Sequence, residues 1–243
     1  MTRVAVFSDI HGNLPALEAV MADARARGCD TIVNLGDSLS GPLWPAETAD
    51  VLIREDWPTI AGNHERQLTD RPPARMGASD AFAYAALQDR HRAWIAAQPQ
   101  VLALTPDILL CHGTPRSDLE HLLWSVDPAG IRAATDAEVE DRAGDFSAAI
   151  LLCGHTHLPR IVTRRDGGIV ANPGSVGLQA FDDDHPSAYT VENGDPLARY
   201  AVMEDGAVAL IAVAYDHQAA AAKAAREGRE DWAGALRTGR MSR

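Results

Sequence analysis

Short apolar runs that each end in Asp, His or Asn beside a glycine recur along this chain, and that recurrence constrains its fold more than any other feature. Val4 to Phe7 leads into Ser8, Asp9, His11 and Gly12; residues 31–35 lead into Gly36-Asp37; residues 58–61 lead into Gly62-Asn63-His64. Further on, Leu109-Leu110-Cys111 precedes His112-Gly113, and Leu151-Leu152-Cys153 precedes Gly154, His155 and His157. Each metal-type side chain thus follows a predicted strand. In an open α/β sheet the carboxyl ends of the strands share one crevice, so donors spread from position 9 to position 157 can meet there. The accompanying glycines suit tight turns that let backbone approach a bound group.

Between the first two runs, Leu14, Leu17, Val20, Met21 and Ala24 fall on one helical face, with Pro15 in the first turn and Gly28 after the end. The opening reads strand, helix, strand, the start of a sheet covered on both faces. Further strands are expected at 101–104, 107–111 and 149–153, and helices at 46–54, 80–97, 133–142 and 217–226. Asp166-Gly167-Gly168 marks one hairpin, between 161–164 and 169–171, and Asp205-Gly206 marks another, between 200–203 and 207–214. Pro72-Pro73 marks a loop, and the alanine-rich stretch 219–225 reads as a surface helix that frays after Gly228.

Composition narrows the function classes. With 243 residues, 46% hydrophobic and 23% charged, the chain has ordinary globular usage and length for one domain over 1–243. Its formal charge of −12 repels a nucleic-acid backbone, so no nucleic-acid polymer is expected as a partner. Lys223 is the sole lysine and no Gly-x-x-x-x-Gly precedes it, which excludes a Walker-type phosphate loop. Cys29, Cys111 and Cys153 are odd in number and far apart, reading as reduced core thiols. The apolar run at 4–7 is too short for a secretory signal, and no stretch approaches about 18 apolar residues. A cytoplasmic protein with no membrane partner is expected.

Asp9, His11, Asp37, Asn63, His112, His155 and His157 offer oxygen and imidazole nitrogen without thiolate. That mixture suits Mn, Fe, Zn, Co or Ni better than calcium. Seven ligands exceed one tetrahedral centre but divide over two divalent metal ions if one carboxylate bridges.

Ser8-Asp9-Ile10-His11-Gly12-Asn13, Gly36-Asp37, Gly62-Asn63-His64-Glu65, His112-Gly113 and Gly154-His155-Thr156-His157 resemble, in order, the five signature blocks of the calcineurin-like metallophosphoesterases. Asn172-Pro173-Gly174-Ser175 is similar to a further block of the small bacterial members, and the resemblance covers roughly residues 3–178. It implies an α/β (α+β) four-layer αββα sandwich. Asp9, His11 and His157 would hold one metal, Asn63, His112 and His155 the other, and Asp37 would bridge, with manganese the leading choice. His64 would face the substrate as the acid that protonates the departing oxygen. The implied reaction is hydrolysis of a small phosphodiester or phosphomonoester, nucleotides among the candidates, by hydroxide formed between the ions. A histidine of ordinary pKa near ~6.5 is suited to supply the leaving group's proton. Some relatives carry an Asp a few residues after the bridging carboxylate to orient that histidine. Here Ser38-Leu39-Ser40-Gly41-Pro42 follows Asp37, so the orienting group is unassigned. Glu65 is not assigned either, because a neighbour on an extended turn usually points elsewhere.

Two rival readings compete. Gly36-Asp37-Ser38-Leu39 also spells the serine block of the GDSL esterases, which would make Ser38 a nucleophile with His185 as base and Asp182 as its orienter. That block normally follows the first strand, and the scheme leaves His11, His112, His155 and His157 without work. A non-catalytic scaffold of the same fold is the other, weakened by the intact donor set, which is costly to keep without metal. Among remaining features, His91, His121 and His217 are expected to be solvated, Trp44 or Trp124 could line a cleft, and Arg116 could reach a second phosphate. The segment from 187 to 243 is expected to add strands and a helix, packing on the core or serving a homo-oligomer.

Overall fold

The computed structural model describes residues 3–145, 148–185 and 187–241. Among the described residues, β1 (Val4–Phe7), α1 (Leu14–Ala26), β2 (Thr31–Asn34), α2 (Pro45–Glu55), α3 (Asn63–Asp70), α4 (Ala78–Ala86) and α5 (Asp89–Ala96) form the first half. There follow β3 (Val101–Thr105), β4 (Ile108–Cys111), β5 (Trp124–Asp127), β6 (Gly130–Ala133), α6 (Asp136–Ala143), β7 (Ile150–Leu152), β8 (Arg160–Thr163) and β9 (Ile169–Asn172). Then come β10 (Ala180–Asp183), β11 (Tyr189–Glu192), β12 (Ala198–Glu204), β13 (Ala207–Val213), α7 (His217–Arg226) and α8 (Glu230–Thr238).

Two sheets carry the core, one ordered β13-β12-β1-β2 and the other β3-β4-β7-β9-β8. β1 runs parallel to β2 and antiparallel to β12, while β4, β7 and β9 lie parallel side by side. Alternation along β1 decides the layering. Val4 and Val6 join Leu110, Ile150 and Leu152 of the other sheet, whereas Ala5 and Phe7 join Leu17, Val20 and Met21 of α1. In the second sheet Leu109, Cys111 and Leu151 turn outward to Val139 and Ala143 of α6. Both sheets are therefore buried on both faces, which gives an αββα sandwich. Leu110 is fully buried between the sheets, and its truncation to Ala would cost about 2–5 kcal/mol.

Several boundaries differ from the sequence expectation. Residues 80–97 form two helices, because Leu87 and Gln88 adopt extended backbone and the Gln88 N–H donates to His91 Nδ1 at 3.2 Å as α5 begins. Residues 58–61 form no ladder; Thr59 makes a single parallel bridge to Asn34. The helix expected over 133–142 starts at Asp136 behind a Thr135 capping box, and Ala133 belongs to the β5–β6 hairpin. Residues 63–65 are the first turn of α3 rather than an extended turn. The chain does not fray after Gly228: α8 follows, burying Trp232, Ala233 and Leu236 with Ala220 and Ala221 of α7. His91 is buried with Nε2 2.9 Å from Asp50 Oδ1, and His121 is buried as well, so neither is the solvated side chain expected.

Candidate active site

The loops after β1, β2, β4 and β7 and the N-terminus of α3 open onto one crevice. Donor atoms of Asp9, His11 and His157 lie within 4.8 Å of one another, and those of Asp37, His112 and His155 form a second such triad. Asn63, the first residue of α3, lines the same cavity. Backbone strain marks these positions independently. Asp9, His11, Asp37, His155 and His157 all have φ between 52° and 69°, and they are five of the seven non-glycine residues with positive φ among the described residues. Such conformations cost on the order of 1–3 kcal/mol each and persist where the surroundings impose them.

Close backbone approach accounts for two glycines. A Cβ at Gly62 would stand 2.2 Å from Asp37 Oδ1, and one at Gly154 would stand 2.0 Å from Ser8 Oγ. Ser8 itself donates to Asp9 Oδ2 at 2.5 Å, and the His155 N–H donates to the same oxygen at 3.2 Å. Asp9 is thereby fixed with Oδ1 facing the crevice.

The histidine tautomers follow from their carbonyl partners. His11 Nδ1 lies 2.7 Å from the Ser40 carbonyl, His112 Nδ1 2.7 Å from that of Leu35, and His157 Nδ1 2.8 Å from that of Leu178. A carbonyl only accepts, so each Nδ1 donates and each Nε2 faces the crevice. His11 Nε2 and His157 Nε2 are then two lone pairs 3.1 Å apart, a repulsive contact that a cation relieves. His155 donates Nε2–H to the Leu119 carbonyl at 3.2 Å, which leaves Nδ1 inward. Asp9 Oδ1 and Asn63 Oδ1 are buried without a hydrogen-bond partner among the described residues, and His112 Nε2 has only the Asp37 carboxylate beside it. An orphaned buried polar atom costs about 1–3 kcal/mol. Burial disfavours charge on His112, yet Asp37 at 3.0 Å outweighs it and pushes its pKa up to about 10. A field that draws a proton this strongly also draws a divalent cation, and the donor set fits a pair of them.

A domain model of the calcineurin-like phosphoesterase superfamily matches residues 2–194. The chain belongs to that superfamily. Phosphodiesterase YfcE of Escherichia coli K12 is 27% identical over 214 residues, 88% of this chain and 99% of its own length. An uncharacterized protein of Methanocaldococcus jannaschii is 38% identical over 64 residues, 26% of each chain. The crystal structure of a metallophosphoesterase from Sphaerobacter thermophilus aligns with a TM-score of 0.74 at 26% identity, covering 98% of this chain and 99% of that one. The protein is thus a phosphoester hydrolase of the calcineurin-like type with a metal-binding donor set. No helix among the described residues is long and apolar enough to cross a membrane.

Within this phosphoesterase, His64 stands at the start of α3, its backbone N–H donating to Asp37 Oδ1 at 2.9 Å. Its Nδ1 lies 2.7 Å from Asp80 Oδ1, in the first turn of α4. Sequence reasoning missed Asp80, which the break between α4 and α5 leaves on a separate short helix. The same Asp80 oxygen accepts from Ser40 Oγ at 2.7 Å, so Ser40 holds His11 through its carbonyl and the His64 partner through its hydroxyl. Burial works against charge on His64, but Asp37 and then Asp80 prevail and push its pKa up to about 9. Glu65 points back instead: its carboxylate accepts from the N–H groups of Asp37, Ser38 and Gly62 at 2.7, 2.8 and 2.9 Å, tying the β2 loop to α3.

The esterase alternative fails on access. Ser38 is fully buried and its hydroxyl accepts from Asn34 Nδ2 at 2.8 Å, whereas Asp182 and His185 line the outer part of the cavity. Trp232 of α8, not Trp44 or Trp124, lines that cavity, with its ring 5.9 Å from that of His11. Arg116 does not reach it either, being paired with Glu120 and Asp141. His121 packs edge-on against His155, ring centres 5.0 Å apart, with Nε2 3.2 Å from the Tyr189 hydroxyl.

Proposed function

We propose that this chain is a single-domain, dinuclear metal-dependent phosphoesterase acting on a small phosphodiester or phosphomonoester. Asp9, His11 and His157 would hold one divalent cation, Asn63, His112 and His155 the second, with Asp37 shared between them. Manganese leads the oxygen-and-imidazole candidates. The observation that carries this reading is the 3.1 Å approach of the His11 and His157 lone pairs, with Asp9 Oδ1 3.3 Å from His157 Nε2. The name of the E. coli relative, a phosphodiesterase, supports diesters among the substrates. The three unpaired cysteines support a reducing, cytoplasmic setting.

When bound, the cations would supply positive charge to the phosphoryl oxygens and the acidity that ionises water near neutral pH. The remaining chemistry belongs to the chain. An alkoxide leaves poorly unless it takes up a proton. His64, with Nδ1–H directed to Asp80, keeps Nε2–H on the cavity side and would pass that proton to the departing oxygen as the P–O bond breaks. Asp37 holds the acid in register with the donors by accepting the His64 backbone N–H.

Metal analysis and turnover test the proposal together. Purified protein should bind two Mn²⁺ per chain, lose hydrolysis of phosphodiesters and phosphomonoesters on chelation, and recover it with added Mn²⁺. His64→Gln should keep both metals and lose turnover by about 10²–10⁴-fold. Full activity after exhaustive stripping would overturn the reading.

A further inference from the structure

The cavity is larger than the reaction centre requires. Its volume of about 790 Å³ suits a whole small molecule, and the donors with His64 occupy only its floor. From that floor α3 forms one wall. His64 and Gln67 stand three residues apart on one face of the helix, Arg71 follows as its C-terminal cap residue with extended backbone, and all three line the cavity. With about 1.5 Å of rise per residue, Arg71 lies roughly 10 Å along the wall from His64. Arg66, on another face of the same helix, is paired with Asp118, whereas the Arg71 guanidinium has no hydrogen bond or ion pair among the described residues, the residue's backbone N–H alone donating, to the Gln67 carbonyl at 3.1 Å. Arg229, immediately before α8, lines the cavity too, donating to Ser79 Oγ at 3.1 Å and to Asp231 at 2.7 Å.

The same cavity also carries the other sign. Asp182, Asp183 and Asp184 line it, two of them held in place by hydroxyls: Thr190 donates to Asp182 at 2.6 Å and Tyr189 to Asp183 at 3.3 Å. Phe181 and Trp232 add apolar surface to the same cavity. An anionic group extending from the floor is repelled by the aspartates and finds an uncompensated guanidinium at the far end of α3. In a chain of net charge −12, that guanidinium beside an anion-processing site has a specific use.

We propose that Arg71 is a specificity residue, and that the cavity takes phosphoesters whose organic portion ends in a second anionic group, phosphate or carboxylate, about 10 Å from the scissile phosphorus. This rests on the phosphoesterase reading, so the test separates the two. Alkyl phosphates of graded chain length, ending in methyl, carboxylate or phosphate, are assayed for hydrolysis by the Mn²⁺-loaded protein. Matching alkylphosphonates, which are not hydrolysed, are titrated calorimetrically in parallel. At the matching length the anion-terminated compounds should exceed the methyl-terminated one by roughly fivefold to tenfold, in kcat/KM and in affinity. That ratio should collapse toward one in Arg71→Gln and be partly kept in Arg71→Lys. No preference for either anion in the wild type, or an unchanged ratio in Arg71→Gln, overturns the proposal. Absence of all hydrolysis would overturn the phosphoesterase reading while the calorimetric ratio still decides the role of Arg71.

Discussion

Replacing Asp80 by Asn removes a charge from beneath His64 while leaving the bulk in place. The Asp80 side chain is 3% exposed and that of His64 27%, so their 2.7 Å contact is little screened on the carboxylate side. A hydrogen bond to a charged group is worth about 1.5–3 kcal/mol, and if that energy is what holds the His64 ring with Nε2–H aimed into the cavity, its loss converts to roughly tenfold to a hundredfold in rate. The loss should depend on the leaving group. Esters of alkyl alcohols need the proton, and should lose that full factor in kcat. p-Nitrophenyl esters leave without much help and should lose only a few-fold. The sign of the pH effect is fixed as well: turnover requires protonated His64, and removing Asp80 lowers the pKa that stands at about 9, so the alkaline limb of kcat should move to lower pH. Asp80→Asn on a His64→Gln background should add almost nothing, because the two act as a unit. Steady-state kinetics on paired alkyl and aryl substrates, with metal content checked, measures all of this. Equal losses on both leaving groups, with an unmoved alkaline limb, would refute the assignment of Asp80 as the orienting group.

Gly62→Ala places a methyl 2.2 Å from Asp37 Oδ1 and should cost about 1–3 kcal/mol in urea unfolding while lowering bound Mn²⁺ below two per chain; a variant with wild-type stability and metal content would contradict the packing. Saturating Mn²⁺ at about a hundred times its dissociation constant should add about 2.7 kcal/mol per cation, about 5 kcal/mol for two, and raise Tm by roughly 10–20 °C, read by calorimetry with and without chelator. Burial, with Arg142 and His185 nearby, outweighs Asp183 and pushes the His121 pKa down to about 4, against ~6.5 when unfolded. The unfolded chain therefore binds that proton first, and the chelated protein should lose at most about 3 kcal/mol as pH falls from ~6.5 to ~4. In His121→Phe that slope should be shallower, and an identical slope would show that His121 does not titrate in this way.

Much of the fold was legible where period and packing agree. Ala5 and Phe7 against Val4 and Val6, and the stripe from Leu14 to Ala24, carry their burial in their spacing. Six of the seven metal-type donors follow strands that the structure keeps and Asn63 follows the single bridge at Thr59, so local sequence already brought them toward one crevice. Asp80 was not legible, since nothing in its own neighbourhood says that α4 docks its first turn beside α3, and the alanine-rich run hid the interruption at Leu87 and Gln88. Glu65 does point away from His64 as expected, but for a different reason than an extended turn: once Asn63 starts a helix, the third residue folds back onto the preceding backbone. Of the strand Gly130–Ala133 only Ala133 was assigned, to the start of the next helix, because four residues cannot announce a hairpin alone. For α8 the signals were present, acidic Glu230 and Asp231 at the start and Gly239 at the close, but Gly228 was read as an end.

The pairing of β1 with β12 has a consequence for biogenesis. Val4 takes its place opposite Met203, so β1 must wait until residue 203 has been synthesised before its second edge is covered. At roughly 5–20 residues per second that delay is on the order of 10–40 s. Asp9 and His11 follow directly from that unfinished strand. Metallation is therefore a late event, coming after translation has passed the end of β12, and nascent chains halted before that point should emerge unable to retain Mn²⁺.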